Sequence, residues 1–373
     1  MLKYMVRFQE QNKGKHSFHV ITFEQPNYAL DPSETKSVQE EYRKQHDIYW
    51  YPRQYNSGGP LMILKKGFDF INAFLSARNL VRKYSIGNVI GFTSISGVIS
   101  MMIARYLKLK LCLLNIEPHS DYMVDFGFWS EGSLKYKLLK RYEEKLYERA
   151  DFLAVPTMNA YKERIGEAKN GNLYFVPTCI DTNDFEFTEK GRTDIRGEIG
   201  VSAYQQVILY LGKFGGIYYT IEEAAEEFLR IARETTDVFF YVITPDNEEE
   251  VKDIFNKKGL GDKSLVRGKI SYEDLSKHIS AADYGIMLVP SWPSQLYRCP
   301  IKTANYMACG VPYIITPGIG DDSDLAEEAG VGVVLRKEQL VKLNVENNAE
   351  YIKEMVKKHR GIHLVVDWME KVL

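Results

Sequence analysis

The sequence predicts an α/β protein made of two Rossmann-like, doubly wound parallel sheets. Three observations carry this expectation. Strand-like apolar runs alternate with helical periodicities along the whole chain. Runs such as Leu111–Ile116 are continuously apolar, as in strands covered on both faces. The 373 residues, 45% hydrophobic and 26% charged, are enough for two cores.

The bulk numbers exclude several classes. No apolar run approaches the length of a membrane span, and no charged-then-apolar leader is present, so cytoplasmic residence is the expectation. Cys112, Cys179, Cys299 and Cys309 lack metal-ligand spacing and suit a reducing compartment, so no metal site is expected. Net charge is only −2, yet residues 1–180 hold 25 Lys and Arg against 18 Asp and Glu (+7), and residues 181–373 hold 23 against 32 (−9). The basic half suits an anionic membrane surface or a phosphate-bearing acceptor, or simply attraction across an interdomain cleft. Nucleic acid is not an expected partner.

In order, Met1–Gln11 has the spacing of an amphipathic helix, Asn12–Lys15 of a turn and Ser17–Phe23 of a strand. A doubly wound domain normally opens with a central strand and a glycine-bearing loop before its first helix. That strand is missing, and the expectation is that translation starts upstream of Met1 or that the domain is truncated. A helix over Asp31–His46, a strand at Ile48–Tyr51, a glycine loop at Tyr55–Pro60, a helix over Phe68–Lys83 and a strand at Asn88–Phe92 follow. Thr93–Gly97 is predicted to turn into a helix over Val98–Leu107, and Lys110–Ile116 to be a strand. Glu117 and His119 sit at the carboxyl end of that strand, where open α/β sheets place their ligands; His119 could position a hydroxyl or be a neutral turn residue. Phe126–Trp129 is an aromatic loop, and Ser133–Arg149 is a lysine-rich helix with either a solvated or a docking face. Strands at Phe152–Pro156 and Leu173–Val176 flank a helix over Asn159–Ile165 and close the first domain at about residue 180.

The second domain, 181–373, opens with a strand at Val207–Leu211 and the loop Gly212–Gly216 before a helix over Ile221–Glu234. This loop matches neither the dinucleotide fingerprint nor a Walker loop. A strand at Asp237–Ile243, a helix over Glu248–Lys258, a strand and turn at Ser264–Ile270, a helix over Tyr272–Ala281 and a strand at Ala282–Pro290 follow. Pro300 suits a first helical turn, and Gly310 with Pro312 ends that helix. Arg298 and Lys302 then lie at a helix N-terminus, where a fixed cation is disfavoured by roughly 0.3–1 kcal/mol unless an anion offsets it. Free N–H groups plus two cations suit a phosphate or diphosphate, with Asn305 on the same face able to bond a hydroxyl; the alternative is a surface helix with solvated cations. The acidic run Asp321–Asp324 suits helix caps or sugar ligands equally. A last helix starts near Asn348.

The run Pro300-Ile301-Lys302, then Tyr306, Ala308-Cys309-Gly310-Val311-Pro312 and an apolar strand, resembles the donor-binding segment of retaining GT-B glycosyltransferases of the large family usually called family 4. Val176–Phe185 is similar to that family's interdomain linker. The resemblance implies two domains facing across a cleft and a final helix returning to the first. It implies a nucleotide-sugar donor held by Gly212, Lys213, Gly215, Arg267, Gly268, Arg298, Lys302 and Asn305, with Glu117 and His119 facing the reacting sugar. Where the family has a ribose-binding Glu this chain has Asn305, and where many members have a second Glu it has Tyr297. No separate cofactor is implied, because the nucleotide-sugar is the substrate. The implied reaction moves a sugar with retention to a saccharide or lipid-linked acceptor in envelope synthesis, with peripheral contact at the inner membrane face. A non-catalytic saccharide-binding scaffold and a nucleotide-sugar epimerase are the alternatives.

Overall fold

The computed structural model describes all residues except 25–28, 55–61, 167–170, 338 and 346–347. The predicted loop at Tyr55–Pro60 lies outside the described residues. The first domain runs α1 (Leu2–Gln11), β1 (Phe18–Glu24), α2 (Pro32–His46), β2 (Ile48–Gln54), α3 (Met62–Tyr84), β3 (Asn88–Phe92), α4 (Ser94–Leu107), β4 (Lys110–Leu114), α5 (His119–Asp125), α6 (Leu134–Arg149), β5 (Phe152–Val155), α7 (Met158–Arg164) and β6 (Leu173–Phe175). The second runs α8 (Glu189–Glu198), β7 (Gln206–Leu211), α9 (Ile221–Glu234), β8 (Val238–Ile243), α10 (Glu248–Lys258), β9 (Ser264–Arg267), α11 (Leu275–Ser280), β10 (Tyr284–Met287), α12 (Ile301–Ala308), β11 (Tyr313–Ile315), α13 (Asp322–Glu328), β12 (Gly332–Val334), α14 (Ala349–Arg360) and α15 (His363–Val372).

Every strand pair is parallel. The second domain has one six-stranded sheet, ordered β12-β11-β10-β7-β8-β9. Sequence order reverses between β7 and β10, and the crevice at the carboxyl ends of such a pair is where doubly wound sheets bind ligands. Its strands are buried on both faces, as their continuous apolar runs require. The first domain is split into β1-β2 and β3-β4-β5-β6. The break falls where the expected central strand would stand.

Three expectations need correction. The helix predicted from Phe68 starts at Met62, because Met62-Ile63-Leu64 continues its apolar pattern upstream. The turn predicted at Thr93–Gly97 is the first part of α4. Gly97 stands inside that helix because it faces Gly91 of β3, where a Cβ would come 2.8 Å from the Gly97 Cα. The single C-terminal helix is two, divided at Gly361, which bridges to Ile180 of the interdomain linker. From there α15 returns to the first domain, where Trp368, Met369 and Val372 share a core with Phe8, Cys112 and Leu114. Among the described residues no helix is long and apolar enough to cross a membrane.

Candidate donor site at the interdomain cleft

Helix α12 is held against the switch point by Tyr306. Its ring lies against Gly285 of β10, where a Cβ would come 2.2 Å from it, and its hydroxyl donates to the Leu209 and Ile286 carbonyls at 3.2 and 3.4 Å. Only glycine in β10 leaves room for that ring. Lys302, one turn earlier, consequently points at the loop after β7. Its ammonium rests on Gly212, whose φ is +140° and where a Cβ would come within 2.0 Å of Nζ. Gly212 is therefore the space that Lys302 occupies. The loop itself is pinned by Phe214 N–H donating to Asp246 (2.6 Å) and Tyr210 donating to the Lys213 carbonyl (2.7 Å). Gly215 and Gly216, with φ of +70° and +65°, turn it.

Three cations converge here. Arg298 and Lys213 both depress the Lys302 pKa, although cleft burial is the larger cause, and together they bring it down to about 8. Aromatic faces line the group: Lys302 Nζ lies 4.5 Å from the Tyr218 ring centre and 5.8 Å from Tyr210, and the Arg298 guanidinium 5.1 Å from Tyr122 and 6.0 Å from Tyr218. Tyr122 belongs to the first domain, so the group spans the cleft. Its acidic neighbour is Glu117, also from the first domain, whose pKa burial pushes up to about 7 against the pull of Arg298. Asn305 is 8% exposed, and among the described residues neither its Oδ1 nor Arg298 Nε has a hydrogen-bond partner. Buried polar atoms without partners beside an excess of positive charge suit an anion carrying hydroxyls.

Other expected site residues lie elsewhere. His119 opens α5 with its ring edge-on to Trp129 (6.4 Å), and burial lowers its pKa; among the described residues it makes no hydrogen bond or ion pair with the cation group. Arg267 is paired with Glu198 and donates to the Tyr241 hydroxyl at 3.2 Å, and Gly268 packs on Glu248. Both stand at the far edge of the sheet, two strands from β7. Tyr297 donates to Glu163 of the first domain. Asp321 stands at the N-cap position of α13, but its side chain makes no cap bond there. Asp321 accepts from Met158 N–H across the cleft at 2.7 Å, and Asp322 pairs with Arg360. Both are structural ties.

Sequence reasoning missed Tyr122, Arg360 and Glu143. Glu143 accepts from the Ser120 amide (3.1 Å) and its hydroxyl, fixing the start of α5. Its signal was a carboxylate on the buried stripe of α6 with Leu146 and Tyr147. Burial pushes its pKa up to about 7 from 4.5. The folded state therefore keeps the proton between pH 4.5 and 7, so stability falls as pH rises through that window. Glu143→Gln should match the parent below pH 4.5 and exceed it above pH 7 by up to about 3 kcal/mol, read from urea midpoints across pH.

Residues 205–357 match the family model of glycosyl transferases group 1. The whole chain has the GT-B fold. Sucrose-phosphate synthase from Thermosynechococcus elongatus is similar at a TM-score of 0.69 and 15% identity, covering 96% of this chain and 98% of that one. HepE from Anabaena in complex with UDP has a TM-score of 0.68 at 13% identity, covering 100% and 94%. WaaG, a glycosyltransferase involved in lipopolysaccharide biosynthesis, has a TM-score of 0.58 at 13% identity, covering 94% and 93%. No curated protein is detectably similar.

Proposed function

We propose that this GT-B protein transfers a glycosyl group from a nucleotide-sugar to a hydroxyl acceptor with retention. The carrying observation is the group formed by Lys213, Arg298 and Lys302 at the sheet's switch point, faced by the Glu117 carboxyl that burial holds largely neutral below pH 7. In the transfer, the acceptor oxygen bonds to the anomeric carbon as the bond from that carbon to the phosphate oxygen breaks. The electron pair stays on the departing nucleoside diphosphate, and the acceptor proton passes to a diphosphate oxygen. Three cations and the amides opening α12 stabilise the developing charge. Asn305 Oδ1 would accept from a ribose hydroxyl, and Glu117 with Tyr122 would face the sugar from the first domain. HepE has been seen with UDP-glucose, which supports a uridine donor as the first to try. WaaG's role supports an envelope saccharide acceptor, and the basic first domain a peripheral seat at an anionic membrane.

Titration calorimetry with UDP-, GDP- and ADP-linked sugars tests the donor site. Binding of none of them removes this reading. One observation favours a second reading, a binding protein without turnover: the neutral Asn305 where the resembling family carries a carboxylate. Asn305→Glu should tighten donor binding by up to about tenfold, since a hydrogen bond to a charged group contributes roughly 1.5–3 kcal/mol against about 1 for a neutral one. Transfer by both forms supports the enzyme, whereas tighter binding with transfer by neither supports the binding protein.

A further inference from the structure

The contacts of the three cleft cations run in sequence from the second domain to the first. Lys302 Nζ rests on Gly212, with Lys213 of the same loop close enough to act on its charge. The Tyr218 ring comes next, 4.5 Å from Lys302 Nζ and 6.0 Å from the Arg298 guanidinium. Arg298 then lies 5.1 Å from Tyr122 of the first domain, whose hydroxyl stands beside the Glu117 carboxyl. Lys213 and Lys302 together match the diphosphate of a nucleotide-sugar, which carries one charge on each phosphate. Arg298 is left over. Its guanidinium makes no hydrogen bond or ion pair among the described residues. Carboxylates around the cleft are committed elsewhere: Asp125 accepts from the Ser294 amide, Asp246 from the Phe214 amide, Asp321 from the Met158 amide and Glu163 from the Tyr297 hydroxyl. Glu117 does face Arg298, but burial pushes its pKa up to about 7, so it carries little charge below that pH.

Resting on the donor site proposed above, we propose that Arg298 selects a donor whose sugar is itself anionic, a hexuronic acid linked to the nucleoside diphosphate, by holding the sugar's carboxylate. With the diphosphate on Lys213, Lys302 and the amides opening α12, the sugar extends along the row of cations toward the first domain. Its carboxylate then meets the Arg298 fork, a planar group that takes a carboxylate through two parallel hydrogen bonds. A neutral hexose has only a hydroxymethyl group to offer there, and the guanidinium would stay unmatched in a closed cleft. Tyr122 and Tyr218 support this role by facing the cation with ring surfaces, which hold it in place without neutralising it. Glu117 in its neutral form can donate to a sugar oxygen, whereas an ionised carboxylate beside Arg298 would compete with the sugar's own.

Calorimetric titration at pH 6.5 with two donor pairs, UDP-glucose against UDP-glucuronate and GDP-mannose against GDP-mannuronate, isolates the sugar's charge, because the members of each pair differ only in the oxidation of C6. The uronate of the nucleotide that the site accepts should bind at least about tenfold tighter than its neutral partner. Arg298→Gln should abolish that preference while leaving the neutral donor within about threefold of the parent. Arg298→Lys keeps the charge without the fork and should retain only part of the preference. Equal or tighter binding of the neutral sugar by the parent overturns the proposal while the donor site stands, and that comparison needs no variant. An equal loss of both donors in Arg298→Gln places the guanidinium on the diphosphate and overturns it as well. Binding of none of the four donors, nor of UDP or GDP alone, removes the donor site itself and this selectivity with it.

Discussion

Arg360→Met is expected to destabilise the protein by about 3–5 kcal/mol. Arg360 is 3% exposed and pairs through one nitrogen with both oxygens of Asp322, at 2.7 and 3.0 Å. It also donates to the Thr178 carbonyl of the linker (2.8 Å) and the Pro300 carbonyl that opens α12 (2.6 Å). Asp322 in turn accepts from Thr303 of α12 at 2.5 Å. Linker, α12, α13 and the C-terminal segment therefore meet on one guanidinium. Removing it strands a buried carboxylate and takes a donor from the Thr178 and Pro300 carbonyls, the second of which keeps the Thr303 hydroxyl. Adding Asp322→Leu should recover part of the loss, because no charge then remains buried, but not the carbonyl bonds. Urea midpoints of the parent, both single variants and the double variant measure the coupling. A single-variant loss below about 1 kcal/mol would show that the buried pair contributes little beyond its own desolvation.

Lys302→Met should weaken nucleotide-sugar binding by about two orders of magnitude while raising the stability of the ligand-free protein. The first effect follows from losing the proposed charge-assisted contact to the diphosphate inside the cleft, worth roughly 2–5 kcal/mol. The second follows from the pKa of about 8 against 10.5 for an ordinary lysine. Between those values the unfolded chain holds a proton that the folded protein has released, so parent stability rises with pH through that window. The variant's advantage should be full below pH 8 and shrink above it. Calorimetric titration and thermal unfolding from pH 7 to 10 separate the two effects. Intact donor binding in the variant would move the diphosphate elsewhere, and lower stability at pH 7 would give Lys302 a structural role.

Much of the site was legible because its signals are local. Pro300, Gly310 and Pro312 bracket α12 within one short stretch, and the Gly212–Gly216 loop follows an apolar strand directly. Helices α9 and α10 lie at their predicted bounds, since each has a side-chain N-cap and a clear apolar stripe. The Arg267–Glu198 pair was not legible because a cation after a strand carries no mark of its partner, and Glu198 lies 69 residues away in the chain. The same holds for Asp322 and Arg360, which capping rules could not connect across 38 residues.

By itself, the sequence determined most of the elements, their parallel pairing and the cations at the head of α12, because periodicity, glycine, proline and charge act over one or two turns of chain. Tertiary structure alone decided that Tyr306 against Gly285 aims Lys302 at Gly212, and that Tyr122 and Glu117 meet Arg298 across the cleft. It also decided that β1 and β3 fall in separate sheets. These are distances between residues far apart in the chain, set by how sheets and helices pack, and no local pattern encodes them.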